Sequence, residues 1–514
     1  MFSLLYQISF ILSLSGLVAW FYFQEKPKLS RLMSTLFLGG FLGYLLSLGM
    51  VEATMQHKFF VLFRDLMVMG VVSQFFNLIR NNSILFFAFL AGFYGLFATK
   101  GVEVLEQTFS KKAVLEKVAT NEQIQLDDTG ELLIEINEQY TITDIASTLD
   151  RFQISYNRAF SPQDAQNTQL DNYYVIDIPN GQLNNLEEIK QDLYKTTFVD
   201  WVEENEIIKI NPMESTPITG QKEFGLNDPY ISQLWGFDAM NVDQLNKGLA
   251  KSKIKPKRKA LIAILDTGVD AKHEDLAANY FSINKKYDSD DRGHGTHCAG
   301  IAAAVSNNSK GIASFSPNNQ FVNVTSIQVL TGFGFGSQKQ IIDGMILAAD
   351  KGADVISMSL GGLANSLRQK AYEDAVKYCN KKGTVIVVAA GNSAKDARNY
   401  SPANLDGVIT VSAIDSKLDR AIFSNFVTHL KMGIAAPGVA IYSTVPNNEY
   451  KTFNGTSMAT PYVSGLVGIL KSIQPDLTTK QVYQILHESG KDTNATKETG
   501  RLIQPAKAIE LVID

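Results

Sequence analysis

The chain is poor in cysteine, carries no dominant charge and, beyond its first hundred residues, lacks long apolar runs. Its two cysteines, Cys298 and Cys379, allow at most one bridge and exclude a disulfide-stapled scaffold. A formal net charge of −5 is too small to signal nucleic acid or an acidic substrate, so no nucleic-acid partner is expected. No organic cofactor is expected either. Met1 to Ser3 hold no positive side chain, so the first apolar run lacks the charged start of a signal peptide. At 514 residues, two or three folded units are expected.

What is present begins with segments of membrane length. Residues 4–23 and 32–51 are apolar, 59–79 is interrupted by Arg64 and Asp65, and 83–99 is free of charge. Each nears the length that crosses about 30 Å of hydrocarbon as a helix, which predicts about four spans over 1–99 and contact with a lipid bilayer. Lys26, Lys28, Arg31 and Arg80 fall in loops that belong inside, which leaves both termini outside and makes the large domain extracytoplasmic. Lys111, Lys112 and Lys117 weigh the other way, and the large domain becomes cytoplasmic if the third segment does not span. Arg64 and Asp65 have two readings, a functional polar site or an interfacial pair with Arg64 reaching the headgroups. Gly39, Gly40, Gly43 and the Ala91-Gly92…Gly95 group suit close helix packing.

After a polar connector at 100–128 the pattern shortens. Glu131 to Asn137 reads as a strand, Thr143 to Phe152 as a helix, and Ile154 to Phe160 and Tyr173 to Ile178 as strands. Asn184 to Lys195 reads as a second helix and Phe198 to Ile210 as one or two final strands. The order β-α-β-β-α-β over 129–212 predicts a ferredoxin-like α+β unit. A linker at 213–224 holds Pro217 and Gly220.

From Gly225 to the end, apolar runs at Ala260–Leu265, Phe321–Val329, Val355–Leu360, Thr384–Ala389 and Val408–Ala413 alternate with helical stretches. The helical stretches are Gly293–Val305, Gln338–Lys351 and Ala364–Lys382. This pattern predicts an α/β fold, a doubly wound and mainly parallel sheet with sites at the carboxyl ends of its strands. Asp266 stands at one such end. His294, between Gly293 and Gly295, opens a helix. Ser457 precedes an apolar helix, and Pro461, which fits the first turn, sets Ser457 near its start. A hydroxyl needs a base and the base needs an orienting carboxylate, so Asp266, His294 and Ser457 form a candidate triad in the order Asp, His, Ser. Asn392, at a strand end, is a candidate oxyanion donor together with the Ser457 N–H.

The segments Asp266-Thr267-Gly268-Val269-Asp270, His294-Gly295-Thr296-His297-Cys298-Ala299-Gly300, Ala390-Gly391-Asn392 and Gly455-Thr456-Ser457-Met458-Ala459 resemble the signatures of the subtilisin-like serine peptidases. The resemblance implies a serine endopeptidase of protein or peptide substrates, with Asp266, His294 and Ser457 as triad and Asn392 at the oxyanion. It implies that Ser359, Leu360 and Gly361 form the edge on which a peptide is laid as an added strand. The 129–212 unit resembles the family's propeptide, an intramolecular inhibitor removed by self-cleavage near 211–224; a permanent adaptor is the other reading.

The resemblance also implies a structural Ca²⁺ site from Asp228, Asp275, Asn308, Val305, Lys310 and Ile312, where the residues alone read equally as caps and turns. Tyr462 after Pro461, and Ser314-Phe315-Ser316-Pro317, depart from the family pattern. His297 reads as a helix-packing residue, since no Cys or carboxylate completes a metal spacing, and Cys298 as a small buried neighbour of His294. The basic run Lys251–Lys259 reads as a solvated loop. The competing function is a catalytically silent binding or scaffold protein on the same fold.

Overall fold

The computed structural model describes residues 2–50, 55–79, 86, 124–220, 224–252, 254–316, 319–364 and 369–513. Long apolar runs that can satisfy their backbone only internally are helices here: α1 (Phe2–Tyr22), α2 (Pro27–Met50) and α3 (Met55–Ile79). They belong to the first of two units, Met1–Asn121 and Glu122–Asp514. Among the described residues, Pro27–Leu48 and Val61–Ile79 are long and apolar enough to cross a membrane, and Ile8–Tyr22 is apolar but shorter. Of the expected span 83–99, all but Phe86 lies outside the described residues. Gly40 and Gly43 let α2 approach α1, since a Cβ at Gly40 would strike Ser13 N and one at Gly43 would stand 3.1 Å from Ser9 Oγ; Gly39 faces open space. Asp65 is buried and accepts from Tyr44 Oη of α2 at 3.1 Å and Arg64 Nε at 2.8 Å. Asp65 is thus held inside the helix packing, where a buried carboxylate requires donors.

The second unit opens with β1 (Leu132–Ile136), α4 (Ala146–Arg151), β2 (Ser155–Arg158), β3 (Tyr173–Asp177), α5 (Leu186–Tyr194) and β4 (Val199–Glu204). The strands pair antiparallel in the order β2-β3-β1-β4, the expected ferredoxin-like arrangement. Leu132, Ile134 and Ile136 face Leu149, Ile189 and Leu193 of the two helices. Leu133, Tyr173 and Val175, on the other face, share a core with Met345, Tyr372 and Val376. The small sheet is thus covered on both sides, which is why every residue of β1 is buried. Phe198 to Ile210 divides into β4 and β5 (Ile207–Lys209), and the expected linker opens with β6 (Met213–Glu214); β5 and β6 leave for other partners.

The central sheet is built from β7 (Ala260–Asp266), β8 (Val322–Gln328), β10 (Val355–Met358), β12 (Val385–Ala389), β14 (Val408–Ile414), β15 (Gly433–Pro437) and β18 (Arg501–Leu502). Every pairing in its order, β18-β15-β14-β12-β10-β7-β8, is parallel. Short strands lie around it: β9 (Phe335–Ser337), β11 (Gly362–Leu363), β13 (Tyr400–Ser401), β16 (Ile441–Val445) and β17 (Glu449–Asn454). Helices α6 (His294–Ala303) and α9 (Thr456–Ile473) cover one face; α7 (Gln338–Asp350) and α8 (Lys370–Lys381) cover the other. The helix expected from Ala364 starts only at Lys370, and residues 365–368 lie outside the described ones. In the basic run, Arg258 forks onto buried Asp354 instead of standing free in solvent.

The small sheet also supplies acceptors to the larger one. The first-turn N–H groups of a helix have no intrahelical partner. Glu203 takes those of Lys370 (2.7 Å) and Ala371 (3.3 Å) at the start of α8 and the Gln338 side chain at 2.6 Å, while Asn205 Oδ1 takes Lys339 N of α7 at 3.0 Å. Burial pushes the Glu203 carboxyl up to about 7 from its ordinary 4.5. The docked form therefore binds the extra proton between those values, and docking weakens as pH rises through that window. Glu203→Gln is expected to flatten this dependence, and Glu203→Ala to cost roughly 1–3 kcal/mol by orphaning buried donors. Amide protection factors at Lys370 and Ala371 across the window check both.

Candidate active site

Asp266 ends β7 and His294 begins α6, so the carboxylate and imidazole meet at the carboxyl edge of the sheet. His294 Nδ1 lies 2.8 and 2.9 Å from the two Asp266 oxygens, and both side chains are buried. Facing a carboxylate, Nδ1 carries the proton and Nε2 is left as a base. A Cβ on Gly295 would run into the Gly268 carbonyl, so only glycine lets α6 come this close to the turn after β7.

Asp290, which sequence reading missed, fixes that helix start. Its Oδ1 accepts from Thr267 Oγ1 and Gly293 N at 2.9 Å, and its Oδ2 from Thr296 N (2.9 Å) and Thr296 Oγ1 (2.7 Å). The available signal was an acidic residue just ahead of a helix start.

Ser457 is the second residue of α9, at the end that favours negative charge. The helix begins at Thr456, so Pro461 stands past the first turn expected for it. A proline there removes the N–H that would bond the carbonyl four residues back, that of Ser457. The freed carbonyl accepts Ser359 Oγ at 2.7 Å and Cys298 Sγ at 3.6 Å. Ser457 Oγ in turn donates to Ser359 O at 3.0 Å, and with a single proton it does not donate to His294 at the same time. Cys298, as expected, lies beside His294, its sulfur within 4.8 Å of ligand atoms of Asp266 and His294; burial pushes its thiol well above the ordinary range. Asn392 Oδ1 accepts from Thr456 N (2.9 Å) and Thr456 Oγ1 (3.0 Å), which leaves its Nδ2 as a donor beside the start of α9.

Ser359, Leu360 and Gly361 follow β10 and lead into β11, which pairs with β13. A second edge, Gly334–Ser337, was missed because its glycines mask a strand of three residues. His297 packs as expected: its ring stacks on Phe453 at 4.4 Å, its Nε2 lies 3.1 Å from Lys451 O, and burial pushes it down to about 3.

Asp228 and Asp275 are buried at one loop. Asp228 accepts from Asn307 N (2.9 Å) and Asn308 N (3.1 Å); Asp275 accepts from Ile312 N and Asn308 Nδ2, both at 2.8 Å. Val305 N donates to Asp275 O and Lys310 N to Asn308 Oδ1, each at 2.8 Å. The six expected calcium residues are therefore gathered together. Among the described residues the hydrogen-bond partners of both carboxyl groups are neutral N–H groups, so two buried acids stand together without a bonded cation. That donor set fits a divalent cation of the calcium type.

An acid, an imidazole and a hydroxyl gathered at one sheet edge are the parts of a serine hydrolase. Residues 257–501 match the sequence profile of the Subtilase family. Thermitase of Thermoactinomyces vulgaris is 43% identical over 218 residues, 41% of this chain and 75% of that relative. Subtilisin DY of Bacillus licheniformis is 41% identical over 227 residues (43% and 80%), and a thermophilic serine proteinase of Bacillus sp. (strain AK1) 34% over 296 residues (57% and 68%). The chain belongs to the subtilase family, and is a hydrolase of the serine protease class. Its two departures from the family pattern meet in space: the rings of Phe315 and Tyr462 lie 5.7 Å apart, with Phe237 5.6 Å from Phe315.

Gly295→Ala is expected to push α6 away from β7 and displace His294. A misplacement near 1 Å costs about 10²-fold in rate, so kcat should fall by that order with KM little changed, as steady-state kinetics on a peptide will read.

Proposed function

We propose that the chain is a membrane-tethered serine endopeptidase using Asp266, His294 and Ser457 as a triad. The observation that carries this is the buried two-oxygen contact of Asp266 with His294 Nδ1, at the sheet edge where α9 presents Ser457. His294 Nε2 takes the Ser457 proton as Oγ attacks the peptide carbonyl, and Asp266 stabilises the imidazolium. Asn392 Nδ2 and the Ser457 N–H hold the oxyanion. His294 then protonates the leaving amine, and water, activated by the same imidazole, hydrolyses the acyl-enzyme. Substrate lies as an added strand on Ser359, Leu360 and Gly361.

Around this centre we assign residues 1–99 as a transmembrane region of about four helices and 100–128 as a connector. Residues 129–212 act as an inhibitory prodomain, 213–224 as a linker in which the chain processes itself, and 225–514 as the peptidase domain, outside the cytoplasm. Apolar helices in 1–79 and the acceptors that Glu203 and Asn205 give to α7 and α8 support this division. Ca²⁺ would be held by Asp228, Asp275, Asn308 and the backbone of Val305, Lys310 and Ile312. It would supply only the countercharge for two buried carboxylates.

A membrane-impermeant fluorophosphonate on intact cells is expected to label the wild type and not Ser457→Ala. Labelling only after permeabilisation would move the domain inside, and no labelling in either condition would sink the peptidase reading. Asn392→Ala should lower kcat by about 10²–10³-fold with KM nearly unchanged. Chelation is expected to lower Tm, and added Ca²⁺ to restore it in wild type but not in Asp275→Asn, by calorimetry.

A further inference from the structure

The cleft is occupied by the chain itself, on both sides of Ser457. On one side β5 lies antiparallel on β9, with Ile207 opposite Ser337, Ile208 opposite Gly336 and Lys209 opposite Phe335. Ile210 N continues the ladder to Gly334 O at 2.9 Å. On the other side β6 lies antiparallel on β17, with Met213 opposite Asn454 and Glu214 opposite Phe453. Ser215 N extends it to Thr452 O at 2.9 Å, and Lys451 pairs with Glu214 at 3.0 Å. From Asn454 the chain runs through Gly455 to Ser457, so this second ladder is anchored three residues from the nucleophile. Asn211 and Pro212 are all that separates the two ladders. The peptide bond midway between them joins Asn211 to Pro212.

Two features withhold that bond from the chemistry. Breaking it would require His294 to hand a proton to the nitrogen of residue 212 as it leaves the Asn211 carbonyl carbon. In proline that nitrogen carries a ring carbon where other residues carry hydrogen, which crowds the approach of the imidazole to its lone pair. Pro212 lines a cavity of about 900 Å³ together with Arg292 and Gly293, the residue before His294. The preceding residue is also confined by the proline. Asn211 is exposed, so its side chain is not seated in a pocket, whereas Ile208 and Ile210 are buried and Ile208 lies against Gly362.

We propose that Pro212 makes residues 207–215 a ligand of this cleft and not its substrate. The 211–212 bond survives maturation, and the cleft stays filled until the segment leaves or is cut at another bond. This rests on the peptidase reading above and adds to it where self-cleavage does not occur.

The test compares the full wild-type chain in detergent with Pro212→Ala, with a Ser457→Ala version of each as control. N-terminal sequencing is expected to find a new terminus at position 212 in Pro212→Ala alone, dependent on Ser457. Restoring an unobstructed proton transfer should speed that cut by about 10²–10⁴-fold. A wild-type chain that acquires Pro212 as its N-terminus overturns the proposal. So does a Pro212→Ala chain that takes a fluorophosphonate at Ser457 yet stays joined at 211–212. If neither chain takes the label, the peptidase reading fails instead.

Discussion

The closeness of α9 to its neighbours governs the whole cleft. All eighteen of its residues are buried, between α6 and the parallel sheet. At its two closest approaches only glycine fits: a Cβ on Gly465 would press 2.8 Å from Ala302 O, and one on Gly468 would press 2.9 Å from Ile262 and Val322. Because interiors are close-packed, the helix has one seat, and the seat fixes where its first turn emerges. The Ser457 carbonyl that Pro461 leaves free then ties this turn to Ser359 and Cys298 together. The Ser457 backbone is thus held by the end of β10 and by α6, the helix that carries His294.

What could be read from the sequence was whatever is written locally. Runs such as Val385–Ala389 announce a strand buried on both faces, and the glycines around His294 announce close backbone approach. The β-α-β-β-α-β order was legible for the same reason, since each element has its own period. Features made by distant partners were not legible. Pro461 was set in the first turn because an interior proline orphans a carbonyl; side chains 98 and 159 residues away absorb that orphan. Asp290 acts on backbone N–H groups that have no signature of their own. Nothing near Asp65 in sequence shows that Tyr44 donates to it.

The small antiparallel sheet illustrates a related dependence. Its Leu133, Tyr173 and Val175 complete a core begun by α7 and α8, and its Glu203 and Asn205 end those helices electrostatically. Neither contribution is a spare surface contact. Losing the sheet would expose apolar area and leave buried N–H groups unpaired together, so the two layers are coupled in stability.

That coupling also explains how a chain can lie in its own cleft without weak side-chain recognition mattering. Strand addition is read through backbone hydrogen bonds, and β5 and β6 obtain theirs from β9 and β17 whatever residues they carry. β17 is itself held by His297, whose ring, pushed down to about 3, is neutral at ordinary pH and stacks on Phe453 without competing for charge. The side chains then sort by face alone: Ile208 inward against Gly362, and Lys209 outward with its ammonium 4.7 Å from the centre of the Phe335 ring. Binding and cutting are consequently separable properties of the same segment. Binding depends on the two ladders, and cutting on the two residues between them.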